Sequence, residues 1–321
     1  MLEAGNTLLK INDLRISFPI GKEKIQVVRG IDLEIKKGEI VGILGESGSG
    51  KTVSSTSILG LLKGEEGIID SGEILFNGQD LLKLSEKDLC KIRGKEIAYI
   101  FQDPVGSLNP YKKVGKQLEE AVNTHGLRFS KTNLLEIMAD TGVDNPELIY
   151  NMYPFQLSGG QCQRVVIAMA LSCQPRLVIA DEPTSAIDAS LRKKVLTLLK
   201  SINEKYGTSI IIITHDFDVA RFLCHKVTIM YGGLVMEVGG IHEVLKDPRH
   251  PYTMELLRCV NSLNNREESL YSLEGRPPNP YEFREECPFY ARCKKKSEKC
   301  QEGIPKMSES EQGRKIRCVH I

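Results

Sequence analysis

Residues 45–52 read GESGSGKT. Glycines at 45, 48 and 50 let successive backbone N–H groups turn toward one centre, an arrangement suited to phosphate. Lys51 adds a point charge for β- and γ-phosphates, and Thr52 offers its hydroxyl to Mg²⁺. Such a loop needs a strand before it and a helix after it. EIVGIL precedes it, and a helical stretch from about 50 to 62 follows. A chance glycine-rich turn would not carry every fixed position inside those flanks. A nucleoside triphosphate also needs a carboxylate for its magnesium shell. RLVIADEP at 176–183 puts Asp181 at the end of an apolar run, with Glu182 next to it, placed to orient or deprotonate an attacking water. Taken alone, an acidic pair after a strand is often just a solvated loop start. His215 follows SIIIIT, another apolar run. A lone histidine is more often structural, but strand ends are where α/β sheets bind ligands.

LSGGQ at 157–161 poses a second problem, because Gly159-Gly160 opens the apolar helix CQRVVIAMAL. A Gly-Gly helix start can hold an anion. The plainer reading is a helix cap and nothing more.

These residues need a frame. TLLKINDLRISF and IQVVRGIDLEI alternate like half-exposed antiparallel strands, whereas EIVGILG reads as a strand covered on both faces. SGEILFNGQDL is a hairpin turning at Asn77-Gly78. Buried-strand runs recur at EIAYIF, RLVIAD and SIIIITHD, separated by helical stretches, which predicts an α/β fold with a largely parallel sheet. Residues 113–150 are mostly helical in pattern. KDPRHPYTMELLRCV adds one more helix, and LEGRPPNPYEFREE breaks regular structure.

The 321 residues are 41% apolar and 26% charged, a globular composition with room for one large core and a smaller appendage. Lys+Arg is 43 against 42 Asp+Glu, so no overall field draws the chain to nucleic acid or anionic lipid. No apolar run approaches the roughly 18 residues of a membrane span. The start, MLEAGNTLLK, lacks a basic stretch leading into an apolar one, so no secretion signal is expected.

Five of the nine cysteines are scattered: Cys90, Cys162, Cys173, Cys224 and Cys259. They read as small core residues. Cys287, Cys293, Cys300 and Cys318 crowd the end, and without an export signal metal explains them better than disulfides. Their spacing is not the C-x2-C of common zinc ribbons, yet four thiolates can still ligate Zn²⁺ or a [4Fe–4S] cluster. From 287 onward nine Lys/Arg face four Asp/Glu, an excess that would offset thiolate charge or simply solvate a surface.

With the loop, the acidic pair and LSGGQ in hand, the sequence resembles the ATP-binding subunits of ABC transporters. The resemblance implies a P-loop NTPase of the ABC nucleotide-binding type, with a mixed central sheet, an antiparallel β subdomain and a helical subdomain. Its expected bounds are 1–260 for the ATP-binding domain, about 103–172 for the helical subdomain and 261–321 for a small Cys-rich extension. In that family two subunits pair head to tail, and the signature of one closes the γ-phosphate site of the other. ATP and Mg²⁺ would then be held by Gly45, Glu46, Ser47, Gly48, Ser49, Gly50, Lys51 and Thr52, and by the partner's counterparts of Ser158, Gly159, Gly160 and Gln161. Gln102, in AYIFQDP, matches the glutamine that senses Mg²⁺ and water. SAID at 185–188, ending in Asp188, matches the D-loop with Ile187 where Leu is usual. His215 matches the switch histidine. Phe18 is the candidate for stacking on adenine, with a core phenylalanine as the alternative.

FQDPVGSLNPYKKVGKQLEE, YPFQLSGGQCQRVVIAMAL, RHPYTMELLRCV and CPFYARC are similar to the oligopeptide/dipeptide (and nickel) importer branch. Cys162, after the signature, stands where that branch often carries other residues. The branch implies two transmembrane permease subunits, a second and paralogous ATPase subunit, and an extracytoplasmic peptide-binding protein. It also implies a peripheral position on the cytoplasmic face of the membrane, and no nucleic acid. Some dipeptide-importer ATPases carry a [4Fe–4S] cluster in such a tail; zinc or free thiols are the alternatives. A DNA-repair or translation ATPase with the same head would carry a long coiled coil or two heads, and neither is present.

Overall fold

The alternating residues at the start of the chain form two long strands, β1 (Thr7–Ile20) and β2 (Glu23–Lys36). They turn at Gly21, whose φ of 64° suits glycine. The continuous apolar run becomes β3 (Ile40–Leu44), buried at every residue, and the phosphate loop leads from it into α1 (Lys51–Ser57). This helix is shorter than the sequence suggests. Ile58, Leu59 and Gly60 each donate to the carbonyl three residues back, so its end tightens and stops at Gly60. β4 (Ile68–Phe76) and β5 (Gln79–Asp80) turn at Asn77-Gly78, with φ of 48° and 82° as the dipeptide predicts. There follow α2 (Glu86–Ile92), β6 (Ile97–Ile100), α3 (Val114–Asn123), α4 (Lys131–Asp140), α5 (Pro146–Tyr150) and α6 (Gly159–Leu171). The remainder is β7 (Leu177–Asp181), α7 (Ala189–Tyr206), β8 (Ser209–Thr214), α8 (Phe217–Leu223), β9 (Lys226–Tyr231), β10 (Leu234–Gly240), α9 (Ile241–Lys246), α10 (Pro251–Asn264), β11 (Ser308–Glu309) and β12 (Lys315–Ile316).

The computed structural model describes residues 6–62, 66–185, 189–264, 271–310 and 313–320. They fall into two units. The first comprises the described residues of Met1–Ile35, Val41–Lys83 and Ile213–Ile321, and the second those of Lys36–Ile40 and Leu84–Ile212.

In the first unit one sheet has the order β2-β1-β4-β5, with β1 and β4 antiparallel and Leu9 opposite Phe76. A second strand array runs β11-β12-β10-β9-β3. β3 is parallel to β9, while β9–β10, β10–β12 and β11–β12 are antiparallel, so this array is mixed. β9 and β10 form a hairpin at Gly232-Gly233 that the sequence reading left without an element. Its run KVTIMYGGLVMEV is buried at nearly every residue, polar Thr228 and Glu237 included, so no sustained polar–apolar alternation marks it as a pair of strands.

The second unit has strands β8-β7-β6, with β6 parallel to β7 and Ile97 opposite Leu177. The helical stretch expected at 113–150 is α3, α4 and α5. Val114, Leu118 and Val122 of α3 are buried at helical spacing, as are Leu134 and Met138 of α4. Among the described residues no helix is long and apolar enough to cross a membrane.

Candidate phosphate site

The phosphate loop is held from behind by β9. A Cβ on Gly45, whose φ is 154°, would collide with the Met230 carbonyl oxygen, so glycine is the residue that fits there. Gly50, at φ 95°, caps α1. Lys51 is buried, and its Nζ donates to the carbonyls of Gly45 and Glu46, each at 2.8 Å. Ser49 is 3% exposed, and its hydroxyl has no hydrogen-bond partner among the described residues. A buried hydroxyl without a partner is costly unless a ligand satisfies it. Ser47, Gly48 and Thr52 lie exposed along the rim. An ammonium resting on loop carbonyls, an unpartnered buried hydroxyl and a loop pressed against a strand together fit a phosphate chain. The residues present therefore suit a nucleotide.

Glu46 is gripped by two distant parts of the same unit. Its N–H donates to the Tyr252 hydroxyl at 3.0 Å. Its two carboxylate oxygens accept from Arg292 Nη1 and Nη2 at 2.7 and 3.2 Å. Tyr231 shares Arg292 Nη1 at 3.1 Å, and Tyr231, Tyr252 and Phe289 pack ring against ring with centroids 4.4–5.4 Å apart. Beneath them His250 is 1% exposed, and its Nδ1 accepts from the Tyr252 N–H at 3.0 Å. Burial pushes the His250 imidazole down to about 3. Its own N–H and that of Arg249 donate to the carboxylate of Glu237, which is fully buried and paired with Arg314. His250, Pro251 and Tyr252 of the RHPY segment are thus a buried brace behind the loop, while the Arg249 side chain is exposed.

In the second unit Asp181 ends β7 and is 4% exposed. The Tyr99 hydroxyl of β6 donates to its Oδ2 at 3.1 Å, which fixes the carboxylate. Glu182 follows in a left-handed conformation with φ 48°, unusual for a residue with a side chain and the kind of strain found at functional sites. Its carbonyl accepts from the Ser185 N–H and hydroxyl. Because β6 and β7 are parallel, Gln102, two residues past β6, lies at the same sheet edge as Asp181. Gln102 is exposed, at the start of a loop turned by Asp103, whose carboxylate accepts from the Val105 and Gly106 N–H groups.

The signature turn stands at the exposed start of α6. Ser158 Oγ accepts from the Gln161 N–H at 3.3 Å, and Gln161 Oε1 accepts from the Ser158 N–H at 2.8 Å, a capping box. Ser158 and Gly159 are exposed, and a Cβ on Gly159 would meet nothing within 4 Å. Cys162, beneath them, is fully buried, its Sγ 3.7 Å from the Pro154 carbonyl. His215, in the first unit, is exposed just past β8. Phe18, near the end of β1, is half-buried, and its ring packs against Gly67. Asp188 lies outside the described residues.

Residues 28–185 match the ABC transporter family, and residues 236–300 match the oligopeptide/dipeptide transporter C-terminal region. The oligopeptide transport ATP-binding protein AppD of Bacillus subtilis is 40% identical, over 98% of this chain and 96% of that protein. The dipeptide transport ATP-binding protein DppD of Escherichia coli is 38% identical, over 97% and 96%. This chain belongs to the ABC transporter ATP-binding subunits. A solved dimer of the ATP-binding cassette MJ0796, in a post-hydrolysis state bound to ADP and Pi, superposes with a TM-score of 0.64. It is 30% identical and covers 73% of this chain and 99% of that one.

In this ABC subunit the four tail thiols lie within electrostatic reach of one another. Burial first, then Cys300, Cys293 and Cys318, push the Cys287 thiol up to about 11, and burial raises Cys293 and Cys318 as well. The expected cluster finds no support in this arrangement. Among the described residues no group of three or more His, Cys, Asp or Glu side chains is placed to hold a metal ion. Cys300 instead lies 3.7 Å from His320 Nε2 and 3.9 Å from Ser297 Oγ. The sequence reading missed Tyr99, Tyr252 and Arg292 as parts of the site. HPYT and FYARC carried the signal, but only as a likeness, with no indication of what those side chains touch.

Proposed function

We propose that this chain is the ATP-hydrolysing subunit of an ABC importer for di- and oligopeptides, on the cytoplasmic face of the membrane. The observation that carries the proposal is the match across nearly the whole chain, C-terminal region included, to transport proteins named for those two substrates. Its assigned partners are two transmembrane permeases, a second and paralogous ATPase subunit, and an extracytoplasmic peptide-binding protein.

In this reading residues 45–50 and Lys51 wrap the phosphates, and Thr52 and Asp181 would hold Mg²⁺, which would neutralise phosphate charge. Tyr99 keeps the Asp181 carboxylate oriented. Glu182 takes a proton from water, and Gln102 and His215 complete the shell. Ser158, Gly159, Gly160 and Gln161 close the partner's nucleotide, a role that the exposed start of α6 supports. Phe18 stacks on adenine and Asp188 contributes from the D-loop. The ATP-binding domain spans residues 1–260, with its helical subdomain over about 103–172, and the extension spans 261–321. The state of the four tail cysteines is open to direct assay: as-purified iron and sulfide, zinc, or four alkylatable thiols distinguish the three forms.

The test is purification of the assembled membrane complex followed by ATPase assays with a panel of peptides and Ni²⁺. Stimulation by short peptides delivered by the binding protein is the expected outcome. A complex that forms but responds only to a non-peptide solute overturns the substrate assignment.

A further inference from the structure

Glu46 presents an awkward charge. It is the second residue of a loop that must receive a polyanion, yet it is a carboxylate, and its side chain is only 25% exposed. An anion beside another anion in a partly desolvated loop raises the cost of binding. Arg292 answers that charge from the far end of the sequence. Its guanidinium is 6% exposed and uses every nitrogen. Nη1 and Nη2 take the two oxygens of Glu46, Nη1 also reaches the Tyr231 hydroxyl, Nη2 the Leu273 carbonyl and Nε the Glu274 carbonyl. A two-pronged pair of this kind fixes orientation as well as charge. The Glu46 carbonyl is also one of the two on which Lys51 rests.

Resting on the ATP-binding reading above, we propose that Arg292 is a positioning residue for nucleotide, through which the C-terminal extension neutralises Glu46 and sets the phosphate loop. The extension is then part of the ATP site rather than an appendage to it. Tyr252 of the RHPY brace fixes the backbone of the same residue, so two otherwise unexplained motifs converge on Glu46.

The test measures MgATP affinity of the full-length chain by calorimetric titration at low and high salt, with melting temperatures recorded alongside. Wild type must first bind MgATP; if it does not, the ATP-binding reading fails and the inference with it. Given binding, Arg292→Ala is expected to weaken MgATP about tenfold at low salt and distinctly less at high salt, as a bared charge requires. Arg292→Lys, which keeps the charge and loses the fork, falls between. Arg292→Ala combined with Glu46→Gln regains most of the lost affinity, because the uncompensated carboxylate is gone. A double variant that folds but binds as weakly as Arg292→Ala alone overturns the charge role, and an unaltered affinity in Arg292→Ala overturns the proposal entirely.

Discussion

The two glycine turns of this protein are built in opposite ways. The phosphate loop is pinned at Gly45, Glu46 and Lys51, while Ser47, Gly48 and Thr52 stay exposed. β9 presses on Gly45, Tyr252 and Arg292 hold Glu46, and Lys51 is tied to loop carbonyls. The signature turn satisfies itself. Ser158 and Gln161 cap one another, and Gly159 looks into open space. A turn held in place by its surroundings is shaped as a receptor. A turn that needs nothing from its own chain, yet stays exposed, is a surface kept for something else. That contrast gives physical content to the idea that each copy carries two half-sites.

The largest effect expected separates closure from hydrolysis. Glu182→Gln should lower turnover by about 10²- to 10⁴-fold, the range for removal of a general base, while MgATP still binds and holds two subunits together. Steady-state ATPase and size-exclusion profiles with ATP check this, and unaltered turnover would remove Glu182 from the chemistry. Next, Gly159→Asp tests the outward-facing turn. An acidic residue in the first turn of α6 suits the helix, so the melting temperature should hold or rise. The same charge would face a partner's γ-phosphate, and ATP-dependent pairing should weaken by about tenfold or more. If pairing survives, the turn is only a cap.

The smallest effect concerns the pinned side. His250 titrates near 3 when folded, below its ordinary value, so the unfolded chain takes up the proton first. The stability this histidine contributes is therefore complete above about pH 6.5 and is lost as pH falls toward 3. Between pH 7 and 5 the loss is about 2 kcal/mol. His250→Asn, which can still accept the Tyr252 N–H, should flatten that slope in denaturant melts at the two pH values. An unchanged slope would show that His250 is not the group behind the pH dependence.

Local pattern made the glycine loops, the buried strands β3, β6, β7 and β8, and the Asn77-Gly78 hairpin legible, because each is written in adjacent residues. The β9–β10 hairpin was not, since both strands are buried almost throughout, Thr228 and Glu237 included, and show no sustained alternation. Nor was the grip on Glu46, whose partner lies 246 residues away and is specified by tertiary packing that no local period records. The tail cysteines taught a related lesson. Their number suggested a metal site, but ligands need placement as well as number, and placement is invisible to a count.

The sulfur of Cys162 has a use that its burial creates. Cys90, expected in the core, is instead exposed on α2, whereas Cys162 is sealed under the turn that begins α6. An alkylating reagent should therefore mark Cys90 at once and reach Cys162 only when that helix start breathes. The chain thus carries its own stopwatch for the local opening of the start of α6.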